Sequence, residues 1–254
     1  PPKWLLTHPS GEIMLCQGLR GLDLDQFDRI VVAITNEQDR AFNAGAVLTQ
    51  AFGDAEQVSI CKLPSQTEGP VDTVLQALAA ENISGPFVAK DSDVSLTLAG
   101  YPITEGRNFV AGLSLASVDV RKPQSKSYLI VNDQGLIVDI VEKEIRSDLF
   151  SAGMYGFESV ELFRTVASQV LEAQSDSHSG EVFISHVIAQ LILTYQAAFE
   201  LAPITAFEDW GTIEDWMDIK ERYRTLFLDF DGVLVENTGR FGLHTWDDPP
   251  VPLR

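Results

Sequence analysis

The chain has 254 residues, of which 45% are hydrophobic and 22% are charged, and its formal net charge is −19. This composition is that of an ordinary globular protein with enough residues for one large domain or two modest ones, and no apolar run is long enough to span a membrane. The negative charge argues against nucleic acid as a partner, because a phosphate backbone requires a basic surface, but an acidic pocket can still bind a small phosphorylated ligand through Mg²⁺.

The two cysteines, Cys16 and Cys61, have no C-x-x-C spacing, and the chain shows no secretory signal. We therefore expect reduced thiols and a cytoplasmic location. The chain starts with PPKWLLTHPSGE, which contains no initiator methionine and no apolar strand of the kind that usually begins an α/β domain. From this start we expect the natural protein to have further residues before Pro1. The oligomeric state is not predicted, and a homo-oligomer stays open.

The first half of the chain alternates strand and helix patterns. A continuous β-branched run over residues 28–35 predicts a strand buried on both faces, and helical spacing follows it, with Asn36 as a candidate N-cap. A second strand over 58–63, a helix over 72–82 and a third strand over 85–90 come next. This alternation predicts a parallel sheet with right-handed crossovers, in which ligands bind at the carboxyl ends of the strands.

The second half has shorter strands with polar turns, which predict a mixed or antiparallel extension of the sheet. The sequence DQG at 133–135 separates two apolar runs and predicts a hairpin. The strands predicted here cover residues 109–120, 127–133, 135–143, 151–159 and 199–204, the helices cover 160–174 and 181–193, and a last helix opens at Gly211 and Thr212.

Two acidic sequences follow predicted strands. Asp91 and Asp93 end FVAKDSDVSL, where a turn is the simpler interpretation if this sequence is taken alone, and Asp209 lies in FEDWGTIEDW. A carboxylate on each of two strand ends can hold one divalent ion, whose octahedron is completed by phosphate oxygens and water. Mg²⁺ bound in this way neutralises a triphosphate during phosphoryl chemistry. The pair therefore predicts a magnesium site at the edge of the sheet.

Further candidate residues suit a phosphorylated ligand, and each has a simpler interpretation. Lys3 lies on a segment pinned by two prolines and could face a phosphate or merely the solvent. Glu142 and Lys143 lie at the end of a predicted strand. They could bind a ligand together, or they could be a run of charges that faces the solvent. Gly69 precedes a helix, where backbone N–H groups can approach a base or phosphate, but Gly-Pro is also a common turn. The four histidines show no ligand spacing.

The ordered segments PPKWLL, FDRIVVAIT, TEGPVDTVLQAL, FVAKDSDVSL, VEKEIRSDLFSAGMYGF and EDWGTIEDW carry a resemblance. Over residues 1–222 the chain resembles the sugar-phosphate nucleotidyltransferase family, in particular its capsule and cell-surface branch. The resemblance implies a Rossmann-like, mostly parallel α/β sheet with a mixed-strand substrate insert at residues 109–157. It also implies a reaction in which a substrate phosphate attacks the α-phosphorus of a nucleoside triphosphate and pyrophosphate leaves, with Mg²⁺ as cofactor.

The resemblance also implies roles for single residues. Lys3 corresponds to the lysine that stabilises the phosphates, Asp209 to one metal-binding aspartate, and Asp93 to the other, which it matches better than Asp91 does. The positions that the resemblance assigns to the substrate are Glu142 and Lys143 for the phosphorylated sugar, Gly153 for the lining of the sugar pocket and Gly69 for the loop that reads the base.

The chain departs from the family in two places. The glycine-rich loop that precedes the Pro-Lys segment in the family is not in this sequence, and Pro70 stands where relatives often carry a small polar residue. The first departure leaves an alternative interpretation, a catalytically silent nucleotide- or sugar-binding module of the same fold. The second leaves the base unpredicted. The sequence also does not predict which phosphorylated compound is the substrate.

Residues 223–254 contain TLFLDFDGVLVENTGRFG, which resembles the first motif of haloacid-dehalogenase-like phosphatases. The resemblance makes Asp229 the nucleophile and Asp231 the general acid and base. The simpler alternative is a buried strand that ends in an Asp-Gly turn. Because the segment is too short to hold the later motifs of that family, we expect a truncated phosphatase domain without activity, in a protein that is bifunctional when whole. A third interpretation, phosphatase activity as the main function, is disfavoured for the same reason.

Overall fold

The structure is a computed structural model that describes residues 1–53, 55–118, 120–177 and 180–223. The strands are β1 (Ile30–Thr35), β2 (Val58–Leu63), β3 (Phe87–Lys90), β4 (Val94–Leu98), β5 (Phe109–Ser114), β6 (Ser127–Val131), β7 (Leu136–Glu142), β8 (Leu149–Phe157) and β9 (Phe199–Asp209). The helices are α1 (Met14–Leu19), α2 (Asn36–Phe42), α3 (Ala44–Phe52), α4 (Pro70–Ala80), α5 (Val160–Ser177), α6 (Ile184–Tyr195) and α7 (Ile213–Arg222). Apart from Tyr223, the predicted second domain, with Asp229 and Asp231, lies outside the described residues.

The strands form two separate sheets. The larger sheet has the order β3-β8-β5-β9-β7-β6, with β4 paired to β9, and the smaller sheet consists of β1 and β2. The mixed α/β class predicted from the sequence is confirmed. Among the described residues only the pairs β1–β2 and β5–β9 are parallel. The larger sheet is therefore more antiparallel than the strand–helix alternation predicted.

β8 is an interior strand of the larger sheet, and nearly its whole sequence is apolar. Every residue from Phe150 to Phe157 is buried, and the strand pairs with β3 on one side and β5 on the other. Helices α4, α5 and α6 share one core with it, where the Phe157 ring contacts Phe163 of α5 and Phe199 of β9. Continuous burial is expected for a strand that is covered on both faces.

β1 and β2 form a smaller unit that shares a core with α3. The single helix predicted after β1 is divided, because Asn43 adopts a left-handed backbone (φ 51°) that ends α2 and begins α3. The N-cap of α2 is Thr35, not Asn36: the Thr35 side chain accepts a hydrogen bond from the N–H of Gln38 and completes a capping box.

A cavity of about 730 Å³ separates the two sheets. Its wall includes residues 30–33 of β1 and 87–90 of β3, and each of these strands has one edge without a strand partner among the described residues. The prediction of one parallel sheet of β1, β2 and β3 is wrong for β3, which pairs antiparallel with β8. The Phe87 ring stacks on Phe157 of β8 at 4.9 Å, so packing against this apolar strand decides the pairing.

Smaller features predicted from the sequence are present. β6 and β7 form the predicted antiparallel hairpin, with Gly135 at φ 80° in its turn, a conformation that glycine adopts without strain. Both cysteines are free thiols, Cys61 buried and Cys16 partly buried. Within the described ranges, no helix combines the length and the apolar character that crossing a bilayer requires.

Candidate active site

β4 and β9 bring the two predicted metal-binding carboxylates together. Asp93 directly precedes β4 and Asp209 ends β9, and the strands pair so that Val94 lies opposite Asp209. The N–H of Trp210 donates to the carbonyl of Asp93 at 2.9 Å. A β-carbon built on Gly211 would lie 3.0 Å from Asp209 Oδ1 and 3.8 Å from Asp93 Oδ2. Both carboxylates therefore border one small space beside Gly211, which we call the Gly211 cradle.

The start of α7 fixes one side of this cradle. Thr212 is the N-cap, its Oγ1 accepting from the N–H of Asp215 at 3.2 Å while the Asp215 carboxylate accepts from the N–H of Thr212 at 3.1 Å. One residue earlier, the N–H of Gly211 donates to Asp209 Oδ1 at 2.9 Å. The sequence DWGTIED thus encodes a capping box at Thr212 and Asp215, and the N–H of the glycine before it orients Asp209.

Two lysines neutralise the two carboxylates. Lys3 Nζ donates to Asp93 Oδ2 at 2.8 Å and to the carbonyl of Gly211 at 2.6 Å. Lys126, just before β6, forms an ion pair with Asp209. The structure thus places Lys3 beside the predicted metal ligands. Sequence reasoning missed Lys126, because a lysine ahead of a strand belongs to no motif and its partner lies far along the chain.

The N-terminal segment that carries Lys3 is anchored by packing. His8 is 1% exposed, and its ring centroid lies 5.6 Å from that of Trp210 and 5.9 Å from that of Trp216. Its Nδ1 accepts a hydrogen bond from the N–H of Ser10 at 3.1 Å. The two ring contacts fasten the segment to Trp210 in the turn after β9 and to Trp216 in α7, and so hold Lys3 beside the cradle.

The burial of His8 makes this anchor sensitive to acid. Loss of hydration lowers the pKa of His8 below its ordinary value of 6.5. The unfolded chain therefore takes up this proton first as the pH falls, and the stabilising contribution is complete above about pH 6.5 and lost below it. We expect the thermal unfolding midpoint to fall more steeply between about pH 6.5 and 5 in the wild type than in His8→Asn, whose amide keeps an acceptor but does not titrate. Equal slopes would contradict this expectation.

A pocket of about 170 Å³ adjoins the cradle. Glu142, Lys143 and Gly153, which the resemblance assigned to the sugar, all line this pocket, together with Asp91 and Lys126. We call it the Glu142 pocket. Because Lys126 also pairs with Asp209, the pocket and the cradle are in direct contact.

Two charged side chains of the pocket are held in fixed positions. Glu142 Oε2 accepts hydrogen bonds from the hydroxyls of Ser127 and Ser185, both at 2.5 Å. Lys143 has a left-handed backbone (φ 55°), and its Nζ lies 3.9 Å from the centre of the Phe183 ring. The pocket therefore presents an oriented carboxylate and an oriented ammonium group, which suit a ligand with hydroxyl and phosphate groups.

Asp91 turns toward the pocket while Asp93 reaches the cradle. A β-carbon on Gly153 (φ 76°) would lie 2.5 Å from Asp91 Oδ2, so only glycine leaves room for this carboxylate. The protein around the Asp91 carboxyl group removes part of its hydration and raises its pKa to about 7, with repulsion from Asp93 as the next cause. Burial lowers the pKa of Lys90 to about 8; its Nζ donates to the carbonyls of Asp91 and Val94.

Gly69 lies just outside this arrangement. It is the N-cap residue of α4, and a β-carbon there would lie 3.0 Å from Glu181 Cγ. The next residue, Pro70, lines the Glu142 pocket, but Gly69 itself does not. The structure thus places the predicted base-reading residue at the rim of the pocket and leaves its role a prediction.

The cradle fits a magnesium ion that is completed by substrate. No group of three or more histidine, cysteine or acidic side chains is arranged to hold a metal within the described part of the chain. Mg²⁺ often binds through one or two carboxylates and keeps its other positions for water and phosphate oxygens. Asp93 and Asp209 supply such a pair of hard oxygen donors at one space.

The fold is that of solved nucleotidyltransferases. The chain superposes on the nucleoside-diphosphate-sugar pyrophosphorylase from Vibrio cholerae RC9 with a TM-score of 0.72 and 18% identity, covering 87% of this chain and 92% of that one. A UDP-glucose pyrophosphorylase in complex with UDP-glucose gives 0.64 and 15%, covering 87% and 90%. The inositol-1-phosphate CTP transferase from T. maritima gives 0.60 and 13%, covering 89% and 90%. No protein-family model and no curated protein matches the sequence.

Proposed function

We propose that the chain is a Mg²⁺-dependent nucleotidyltransferase that joins a nucleoside triphosphate to a sugar 1-phosphate or a similar small phosphorylated compound. The observation that carries the proposal is the meeting of Asp93 and Asp209 at the Gly211 cradle, directly beside a pocket that holds Glu142 and Lys143. The shared fold supports it, because the solved neighbours include a pyrophosphorylase and a CTP transferase.

In this proposal each part of the site has one task. Glu142, oriented by its two serine hydroxyls, accepts hydrogen bonds from hydroxyl groups of the substrate, and Lys143 binds its phosphate. Lys3 stabilises the triphosphate. Asp93 and Asp209 would hold Mg²⁺, which neutralises the charge of the triphosphate when bound.

The reaction in this proposal is the one that the resemblance implies. An oxygen of the substrate phosphate forms a bond to the α-phosphorus, and the bond from the α-phosphorus to the oxygen that bridges to the β-phosphorus breaks. Pyrophosphate leaves with that oxygen and its electron pair, so no oxidant or reductant is needed. The residues of the site contribute by holding the two reactants in line and by stabilising charge.

The test is a pyrophosphate-release screen of the protein with each common nucleoside triphosphate against a panel of sugar and aminoalcohol phosphates. We expect at least one pair to turn over, to require Mg²⁺ and to lose turnover in Asp93→Ala and Asp209→Ala. Arg222→Ala, on an exposed ion pair with Glu208 at 3.4 Å, is the control. Turnover that persists in both Asp93→Ala and Asp209→Ala, or no turnover with any pair of substrates, would refute the proposal.

A silent binding module is the second candidate. It is favoured by the two ion pairs that already neutralise Asp93 and Asp209, because such a cradle is stable without a metal. This candidate predicts that nucleotides or sugar phosphates bind, for example by isothermal titration calorimetry, without any release of pyrophosphate. The same panel of compounds therefore distinguishes the two candidates.

The finer features are proposed from the sequence alone. We place the reaction in the cytoplasm, in the synthesis of nucleotide-activated precursors for capsule or cell-surface polysaccharide. We also propose a bifunctional protein in which Asp229 and Asp231 begin a phosphatase domain. Phosphate release by the natural full-length protein, lost in Asp229→Asn while pyrophosphate release persists, would support this division of labour.

A further inference from the structure

Lys126 lies where the Gly211 cradle meets the Glu142 pocket. It pairs with Asp209 on one side and lines the pocket with Glu142 and Lys143 on the other. Its side chain is 16% exposed and that of Asp209 is 22% exposed, which makes this the least exposed ion pair among the described residues. No motif of the sequence assigns a role to Lys126, and its position between the cradle and the pocket is what distinguishes it.

The backbone of Lys126 is fixed while its ammonium group has free hydrogen-bonding capacity. Its carbonyl accepts from the N–H of Lys143 at 3.0 Å, and its own N–H donates to Pro123 at 3.1 Å. An ammonium group has three N–H donors, and within the described residues Asp209 is the one hydrogen-bond partner of Lys126 Nζ. The Phe207 ring, 5.9 Å away, lies along its other flank. The remaining donors can therefore serve a ligand in the pocket.

We propose that Lys126 is a phosphate-binding residue of the Glu142 pocket that exchanges partners. With the site empty, its ammonium group neutralises Asp209. When a divalent cation is bound at Asp93 and Asp209, Lys126 leaves Asp209, because two positive charges on one carboxylate repel each other, and it turns to the substrate phosphate between itself and Lys143. This inference rests on the proposed function and adds a coupling between the two sites: a bound cation strengthens the binding of the phosphorylated substrate.

The exchange predicts effects of opposite sign, which a merely structural role does not. In Lys126→Met the ammonium group that competes for Asp209 is gone, so Mn²⁺, used as a probe for Mg²⁺, is expected to bind about fivefold more tightly. The same variant loses a cation of the pocket, so inorganic phosphate is expected to bind at least about fivefold more weakly in the presence of Mg²⁺. Lys126→Arg keeps the charge and is expected to stay near the wild type in both.

The experiment measures Mn²⁺ binding by water-proton relaxation and phosphate binding by calorimetry. The matched control is Lys122→Met, four residues earlier, where a 57% exposed lysine pairs with Glu214 at 3.6 Å and should change neither affinity. If methionine lowers the unfolding midpoint, Lys126→Gln replaces it in the same comparison. Mn²⁺ affinity that is unchanged or weaker without the Lys126 charge would overturn the exchange alone. A wild type that binds no Mn²⁺ would overturn the proposed function as well.

Discussion

Asp209→Asn is expected to lower the rate of pyrophosphate release at least about 100-fold and to abolish measurable Mn²⁺ binding. Asparagine has nearly the same shape and its amide oxygen can still accept from the N–H of Gly211, so the turn before α7 is preserved. What is lost is the negative charge on one side of the cradle. We expect Asp93→Asn to have a loss of similar size, because its carboxylate borders the same space.

The double variant sharpens this prediction. If both carboxylates bind one ion, adding Asp93→Asn to Asp209→Asn should lower the rate of pyrophosphate release little further. The loss of rate in the double variant should therefore be much smaller than the product of the two single losses. Glu208→Gln is the matched control, since it removes a charge next to Asp209 on β9 that pairs only weakly with Arg222. A double variant whose loss equals the product of the single losses would show that the two aspartates act independently, and would contradict a shared ion.

Gly153→Ala is expected to reduce both stability and substrate binding. The φ of 76° costs any other residue about 1–2 kcal/mol of unfolding free energy. In addition, the new methyl group would lie 2.5 Å from the Asp91 carboxylate and push it into the Glu142 pocket. We therefore expect a larger loss of unfolding free energy than strain alone gives, together with a raised KM for the phosphorylated substrate in the pyrophosphate assay.

Gly135→Ala separates the two causes. Gly135 has a similar φ of 80°, but nothing lies within 4 Å of the β-carbon that alanine would add. Chemical denaturation of this variant therefore measures the backbone strain alone, about 1–2 kcal/mol. Its KM should equal that of the wild type. If the two variants lose the same unfolding free energy and leave KM unchanged, the close approach of Asp91 to Gly153 affects neither stability nor substrate binding.

Local patterns in the sequence predicted most elements, because local chemistry forms them. The DQG hairpin, the strand at 58–63 and the helices after β8 all follow from turn residues and periodicity. The order of the strands in the sheets could not be predicted from these local patterns. The apolar run GPFVAK fits a parallel or an antiparallel neighbour equally well, and contacts such as Phe87 on Phe157, which settle the pairing, join residues 70 positions apart.

The candidate site was predictable to the same extent. Asp93 and Asp209 each follow a strand, and a shared edge of the sheet is a sound expectation from that pattern. The lysine opposite Asp209 could not be found, because Lys126 stands between two serines without any distinctive spacing. The serine hydroxyls that orient Glu142 were also missed, since one of them comes from α6, which reaches the pocket only through tertiary packing.

The cavity between the two sheets leaves a seam in the molecule. Along this seam β1 and β3 each have one edge that no strand of the described chain pairs with. The contacts that join β1 and β2 to the rest are therefore side-chain packing and a few polar contacts at the strand ends, such as the ion pair of Arg29 with Glu81. We expect this unit to open before the whole protein unfolds, so that its amides exchange with deuterium faster than those of β8.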